Sequence, residues 1–220
     1  MNSNSNRKGL EVTVPTSLRD ITLSQHVKYT RAVSGDVELN EEAATELIVT
    51  IFCNIHLKHM NLLKHKQVDD ILSRVLPILG GIKTNLPLVR RFTMDGVEYG
   101  MIPNLDEMSY GENKGITTFM KDSNDYHKAM GILYRPIIRT FKDTYEIEEY
   151  DGSNKYYDVM QSMPLDILLG AQVFFWTLIK DLLNSIPNYL RKNLGEKTYQ
   201  DLIQKVFTNQ PGEVMMKSSV

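Results

Sequence analysis

Leu88-Val89-Arg90-Arg91-Phe92-Thr93-Met94-Asp95-Gly96-Val97-Glu98-Tyr99-Gly100-Met101 decides the fold class. Asp-Gly between two strand-like runs is the strongest short hairpin signal, because the tight turn that suits strand twist needs two residues at positive φ. Tyr145-Glu146-Ile147-Glu148-Glu149-Tyr150, followed by Asp151-Gly152, reads as a further edge strand with a turn. Alternating charge on an edge strand discourages unwanted pairing.

Upstream of the hairpin the spacing predicts helices. Thr22 is an N-cap with Gln25 three residues on, which starts a helix near 22–33 that Ser34-Gly35 ends. Asn40 caps a second helix, with Glu41 and Glu42 placed where the helix dipole favours them. Its apolar face is Ala44, Leu47, Ile48 and Ile51. Ile55 to Lys66 is basic and polar and reads as a helix–turn connection. Val68, Ile71, Leu72, Val75 and Leu76 have helical spacing, and Gly80-Gly81 is read as a stop through a left-handed glycine. Near the start, Leu10 to Val14 alternates before Pro15 and predicts a short strand.

Downstream, Ser109 caps a short helix over Tyr110–Phe119. Asn124 or Asp125 opens another that ends near Tyr134, since Pro136 disfavours helix at Arg135. Pro164 suits the first turn of the longest helix, roughly 164–185. Leu165, Leu168, Leu169, Val173, Phe174, Phe175, Trp176 and Ile179 make it apolar nearly all round, so it is expected at the centre. Pro187 breaks it, and Gly195 precedes a last helix at about 196–208. The expectation is an α+β, mainly α fold: a helical core around one long apolar helix, with one or two small β-hairpins. Residues 1–9 read as a flexible arm, 10–209 as a single domain and 210–220 as a flexible tail.

Composition fits this reading. The chain has 220 residues, 42% hydrophobic and 24% charged, which are ordinary globular fractions. A formal charge of −2 gives no global pull toward nucleic acid or an anionic membrane. The single cysteine, Cys53, excludes an internal disulfide. No apolar run follows Arg7 and Lys8, so no signal peptide is read, and Ile167 to Ile179 is too short to span a bilayer. The protein is therefore expected to be soluble and made in a reducing compartment.

The one enzyme-like cluster is Cys53, His56, His59 and His65, a C-x2-H-x2-H-x5-H spacing of ligands that Zn²⁺ accepts. Against it, Cys53 falls on an apolar helix, the histidines lie among Lys58, Lys64 and Lys66, and no carboxylate stands by to orient an imidazole. Asp106-Glu107 and Glu146, Glu148 and Glu149 supply carboxylates in exposed-looking segments. No nucleophile motif, phosphate loop or dinucleotide motif is present. No catalytic, cofactor-binding or metal-binding residue is assigned, no cofactor is expected, and the chain is not read as an enzyme. Charge is uneven: Lys58, Lys64, Lys66, Arg74, Lys83, Arg90 and Arg91 face only Asp69 and Asp70, whereas Asp143 to Asp151 holds five acids and no base. Two readings arise, a bipolar surface that packs subunit to subunit or two solvated faces of a monomer, and charge alone favours the second.

Three stretches carry a family resemblance: Ser17-Leu18-Arg19-Asp20-Ile21-Thr22-Leu23-Ser24-Gln25; Tyr99-Gly100-Met101-Ile102-Pro103-Asn104-Leu105-Asp106-Glu107-Met108-Ser109-Tyr110-Gly111-Glu112; and His127-Lys128-Ala129-Met130-Gly131-Ile132-Leu133-Tyr134-Arg135-Pro136-Ile137. The last continues through Tyr145–Tyr150 to Met163-Pro164-Leu165-Asp166-Ile167-Leu168-Leu169-Gly170-Ala171. In this order they resemble small proteins encoded among the structural genes of tailed phages of Bacteroidota, including crAss-like phages. The chain departs from that pattern at Asn113-Lys114-Gly115, where an acidic helix usually continues.

The resemblance implies a virion protein, made in the cytoplasm of the bacterial host, of the type that forms neck or tail rings between portal and tail. It implies a homo-oligomeric ring, contacts with other neck and tail proteins, and passage of DNA through a lumen without sequence-specific binding. It implies no membrane partner. The alternative it leaves is a tail-assembly chaperone that does not stay in the particle. Within the motifs, Pro103 and Pro136 fix chain direction, Asn104 and Asp106 are turn formers, and Arg135 is expected to pair with an inward carboxylate such as Asp106 or Asp166.

Overall fold

The computed structural model describes residues 12–35, 39–82, 85–142 and 144–185, together with residue 198; in the last helix, side chains are described as far as Leu178. The expected arm at 1–9, the tail at 210–220, the break at Pro187 and, apart from residue 198, the helix at 196–208 lie outside the described residues.

The fold is α+β and mainly α. Seven α-helices and four strands follow one another as α1 (Leu23–Val33), α2 (Glu41–Phe52), α3 (Leu57–Met60), α4 (His65–Gly80), β1 (Arg91–Met94), β2 (Val97–Met101), α5 (Tyr110–Phe119), α6 (Tyr126–Leu133), β3 (Tyr134–Phe141), β4 (Thr144–Ile147) and α7 (Leu165–Ser185) among the described residues. The strands form one antiparallel sheet in the order β1-β2-β3-β4.

The helix starts follow from their caps. The Thr22 hydroxyl accepts the Gln25 N–H while the Gln25 side chain accepts the Thr22 N–H, a reciprocal box that satisfies two otherwise orphan donors. Asn40 Oδ1 accepts the Ala43 N–H at 2.8 Å at the start of α2. Ser109 and Glu112 form a second box that opens α5. At the end of α4 the expected left-handed stop is not used. Gly81 sits at φ −93°, and its N–H closes the helix on the Pro77 carbonyl. Glycine serves there by leaving room, since a Cβ would lie 2.7 Å from that carbonyl oxygen.

The hairpin turn has the expected geometry. Asp95 and Gly96 both take positive φ, 51° and 77°, and Met94 faces Val97 across it. Residues 88–90 precede the strand rather than extending it. Of the predicted strand at 10–14, the described part, residues 12–14, is irregular, although Val12 and Val14 still pack on the core; residues 10 and 11 lie outside the described residues. Long-range packing of two valines does not require a ladder partner.

β3 is the element that local sequence signals do not reveal. It begins at Tyr134 immediately after α6 and pairs with β2, Tyr99 opposite Pro136 and Gly100 opposite Arg135. Pro136 does end helical structure, but the chain continues as a strand, and that strand joins two hairpins into one sheet. β4 is the expected edge strand, confined to Thr144–Ile147.

Two distant parts of the chain meet at Thr22 and Pro164. Leu23 N–H donates to the Met163 carbonyl and Leu165 N–H to the Ile21 carbonyl, each at 2.8 Å. α7 thus starts beside α1. Leu165, Ile167, Leu168, Leu169 and Ala171 are buried in the hydrophobic cluster. Burial falls off along the helix: Val173 to Trp176 are partly buried, and Thr177 and Leu178 are exposed. All-round burial therefore does not extend past Gln172 in the described part. Gly170 packs against the Pro87 backbone so closely that a Cβ would overlap its carbonyl oxygen.

This contact sets a prediction. Gly170→Ala lowers stability by about 2–3 kcal/mol, because the obstacle is backbone that cannot swing aside. Gly80→Ala, at a helical position with nothing within 4 Å of the added carbon, is neutral or gains up to about 1 kcal/mol. Urea unfolding midpoints of the two variants check both statements.

Candidate functional site

Arg135 is the most buried cation among the described residues. It is 5% exposed, and its partner Glu112 is 6% exposed. Arg135 Nη1 lies 2.7 Å from Glu112 Oε1 and also donates to the Ile132 carbonyl at 3.2 Å. The guanidinium stands over the Tyr150 ring, 5.7 Å from its centre. The other carboxylate oxygen of Glu112 accepts the Ser109 N–H at 2.7 Å. One carboxylate therefore caps α5 and neutralises the arginine at the head of β3. Burial alone would raise the Glu112 pKa, but the Ser109 hydrogen bonds and the Arg135 contact outweigh it and hold the carboxyl below its ordinary value.

Neither expected partner of Arg135 is used. Asp106 is exposed in a single 3-10 turn, where its N–H is taken by Asn104 Oδ1. Asp166 instead receives Arg19 Nη1 at 3.0 Å, which ties the Ser17–Gln25 stretch to the start of α7. Sequence spacing does not choose among three carboxylates. The available cue is the capping box itself, since a Glu three residues into a helix already has one oxygen turned back toward the chain.

The motif stretches are thus partnered with each other. Tyr99-Gly100-Met101 pairs with Tyr134-Arg135-Pro136 through β2 and β3. Gly100 leaves space for the Tyr145 ring, whose hydroxyl donates to the Met101 carbonyl at 2.8 Å. Gln25 Nε2 donates to the Ile51 carbonyl at 2.8 Å, binding α1 to the end of α2. These residues hold the framework together.

The Cys/His cluster is dispersed. Cys53 is buried at the end of α2, and burial pushes its thiol up to about 11. His56 and His59 stand edge to face with ring centres 6.1 Å apart. His65 opens α4 and is exposed. Among the described residues no three of His, Cys, Asp and Glu are placed to hold a metal ion.

The charge map differs from the linear count. Glu146 meets Arg139 across the β3–β4 hairpin at 3.5 Å, and Glu148 is held by Lys155 and the Tyr156 hydroxyl. Arg91 pairs with Glu98. The acidic stretch is thus partly neutralised by cations from outside it, which weakens the bipolar reading on that side. Lys58, Lys64, Lys66 and Arg74 remain exposed along α3 and α4.

Large apolar side chains are exposed on separate elements. Tyr110 is 82% exposed, Leu62 72% and Ile138 63%, with Leu57, Leu76 and Phe141 about half exposed. Every residue of β3 from Ile138 to Phe141 is exposed, on both faces of the strand. A bulge between Ile137 and Arg139 leaves Ile138 without a partner on β4, the local device by which a strand re-aims a side chain. Between α2 and the α3–α4 segment lies an open groove of about 690 Å³. Met60, Leu63, Val68 and Leu72 form its apolar lining, and Glu41, Glu42, Glu46 and Asp69 its acidic rim.

Comparison of the chain with family models, with curated proteins and with solved structures finds no match. Among the described residues no helix is long and apolar enough to cross a membrane.

Two predictions concern the buried polar groups. Glu112→Gln removes the charge that Arg135 faces and costs about 3–5 kcal/mol, the usual penalty for leaving a buried ion unpaired, read by chemical unfolding. His26 supplies the second: its Nδ1 is shielded without a hydrogen-bond partner, and burial lowers its pKa to about 4. Because the folded value lies below the unfolded one, stability is complete above the unfolded pKa of about 6.5 and is lost as pH falls toward 4. Between pH 7 and 5 the protein loses about 1–2 kcal/mol from this group, and His26→Gln shows a correspondingly flatter profile when unfolding is measured at both pH values.

Proposed function

We propose that the chain is a structural protein of a tailed-phage virion, a component of the neck or tail rings between portal and tail. The observation that carries this reading is the ordered motif series from Ser17 to Ala171, which resembles proteins of that genomic setting. Two features support it. The motif residues are spent on internal contacts such as Arg135–Glu112 and Arg19–Asp166, as expected of a scaffold whose work is to present surfaces. Large apolar side chains stand exposed on the β3–β4 hairpin and on α3–α4, and a subunit with two different contact faces is what a head-to-tail ring needs.

On this reading the protein is not an enzyme, and its mechanism is assembly. α7 serves as the centre of the helical core, buried in its first turns, and the sheet and α3–α4 carry the contacts. The particle is its place of residence, and DNA passing the ring is met without sequence reading.

Quantitative mass spectrometry of purified particles of the encoding phage tests the proposal. The expected result is a fixed ratio to the portal protein, near one copy per portal subunit or a simple multiple. Absence from particles with abundance in infected-cell lysate contradicts it and favours the chaperone alternative.

A further inference from the structure

The sheet is open on both sides. Its order makes β1 and β4 the edges, and among the described residues neither has a ladder partner on its outer side. Each edge strand is four residues long. Every step across the sheet is antiparallel. After three such steps β4 runs opposite to β1, so the β1 of a second copy laid against β4 continues the alternation.

The backbone phases agree. Met94 and Val97 close a two-residue turn, and Met101 N–H donates to the Arg90 carbonyl. Bonded and non-bonded pairs alternate along an antiparallel ladder. Arg90, Phe92 and Met94 therefore bond inward, and the N–H and C=O of Arg91 and Thr93 point outward. On β4, Thr144 closes the second turn against Phe141, and Glu148 N–H donates to the Pro136 carbonyl. The bulge falls on β3, so β4 keeps its phase and turns the backbone groups of Tyr145 and Ile147 outward. The outward residues are two apart on each edge. Setting Arg91 opposite Ile147 and Thr93 opposite Tyr145 lets both pairs exchange N–H···O bonds.

Charge favours this pairing over its rival. In that register Arg90 stands opposite Glu148, with Glu149 beside it. Arg90 and Glu149 are exposed, and among the described residues neither is in an ion pair. Two β4 edges paired through both outward residues would set Glu146 against Glu146, and like charges directly opposite are destabilising. The acidic alternation of β4 thus opposes pairing with itself and admits a basic edge.

We infer that β1 of one copy adds to β4 of the next, head to tail, and carries one sheet through the assembly. The inference deepens the ring reading and rests on it, since a head-to-tail contact closes into a ring where its rotation allows. Two four-residue strands make a small contact, so a single junction is weak and closure of the series strengthens it.

The test uses two differently tagged full-length chains, one carrying Arg90→Cys and the other Glu148→Cys. Directly opposed non-bonded residues bring their Cα atoms to about 4.5 Å, within disulfide range. Cys53 is buried and stays out of the exchange. Mild oxidation of the mixture is expected to give a disulfide between the two tags. Thr93→Pro in the first chain removes an outward N–H and spares its own ladder, so the disulfide is lost while the unfolding midpoint is kept. Ile147→Pro in the second chain is the matching block from β4, and it serves where the first variant fails to fold. No inter-tag disulfide, or one that survives the blocks, overturns the inference. Arg90→Cys chains linked to one another overturn it as well, since β1 would then meet β1 about a two-fold axis. Particle composition judges the ring reading separately. A virion protein without this disulfide keeps the function and loses the contact, and a chain that links but is absent from particles keeps the contact and loses the function.

Discussion

The buried ion pair between Arg135 and Glu112 is the constraint on which the rest of the structure depends. A guanidinium on a residue 5% exposed is tolerated only with a counter-charge and hydrogen bonds in place. Here the counter-charge is the carboxylate that also caps α5, so the start of that helix, the end of α6 and the head of β3 are fixed by one contact. β3 pairs with β2 on one side and β4 on the other, so the register of the sheet is set from the same point. Close approach does the rest. Gly115 and Gly131 leave room for Ile132 and for the Tyr156–Tyr157 segment, and Gly100 leaves room for Tyr145. A Cβ at Gly100 would overlap the Tyr145 ring, one at Gly115 the tip of Ile132, and one at Gly131 would press on the Tyr156–Tyr157 segment.

Rigidity at this junction contrasts with the surface. β3 leaves the core by degrees, from buried Tyr134 and Arg135 to exposed Arg139, Thr140 and Phe141. The same strand therefore anchors in the core and ends as an exposed hairpin. The α3–α4 region shows a similar division, with Ile71, Val75 and Leu79 of α4 buried and Lys66, Arg74 and Leu76 exposed. A body held by internal polar links, with apolar side chains presented at its margins, is a form suited to assembly. That suitability is in keeping with the role proposed above.

Signals in the sequence are legible wherever the physics is local. Caps at Thr22, Asn40 and Ser109 place three helix starts, and Asp95-Gly96 places the hairpin turn, because each satisfies its own backbone within four residues. β3 is hidden because its pairing with β2 spans more than thirty positions and because Pro136 looks like punctuation rather than strand. Residues 12–14 of the strand read at 10–14 are irregular for the converse reason: alternation marks a half-buried segment but does not supply a partner. Linear charge counting misjudges the acidic stretch, since Arg139 and Lys155 reach it from across a hairpin and a loop. The choice of Glu112 for Arg135 needs the third dimension. The groove of α2 and α3–α4 leaves no mark in the sequence, as three of its four acids come from α2 while Asp69 and the apolar lining come from the α3–α4 segment.

Amide hydrogen exchange of Glu112→Gln against the unaltered protein addresses the central claim most directly. If the ion pair couples helix and sheet, protection falls together in the first turn of α5 and across the β2–β3 ladder from Tyr99 to Met101. Loss confined to the first turn of α5, with the ladder unchanged, would reduce Glu112 to a helix cap and contradict the account.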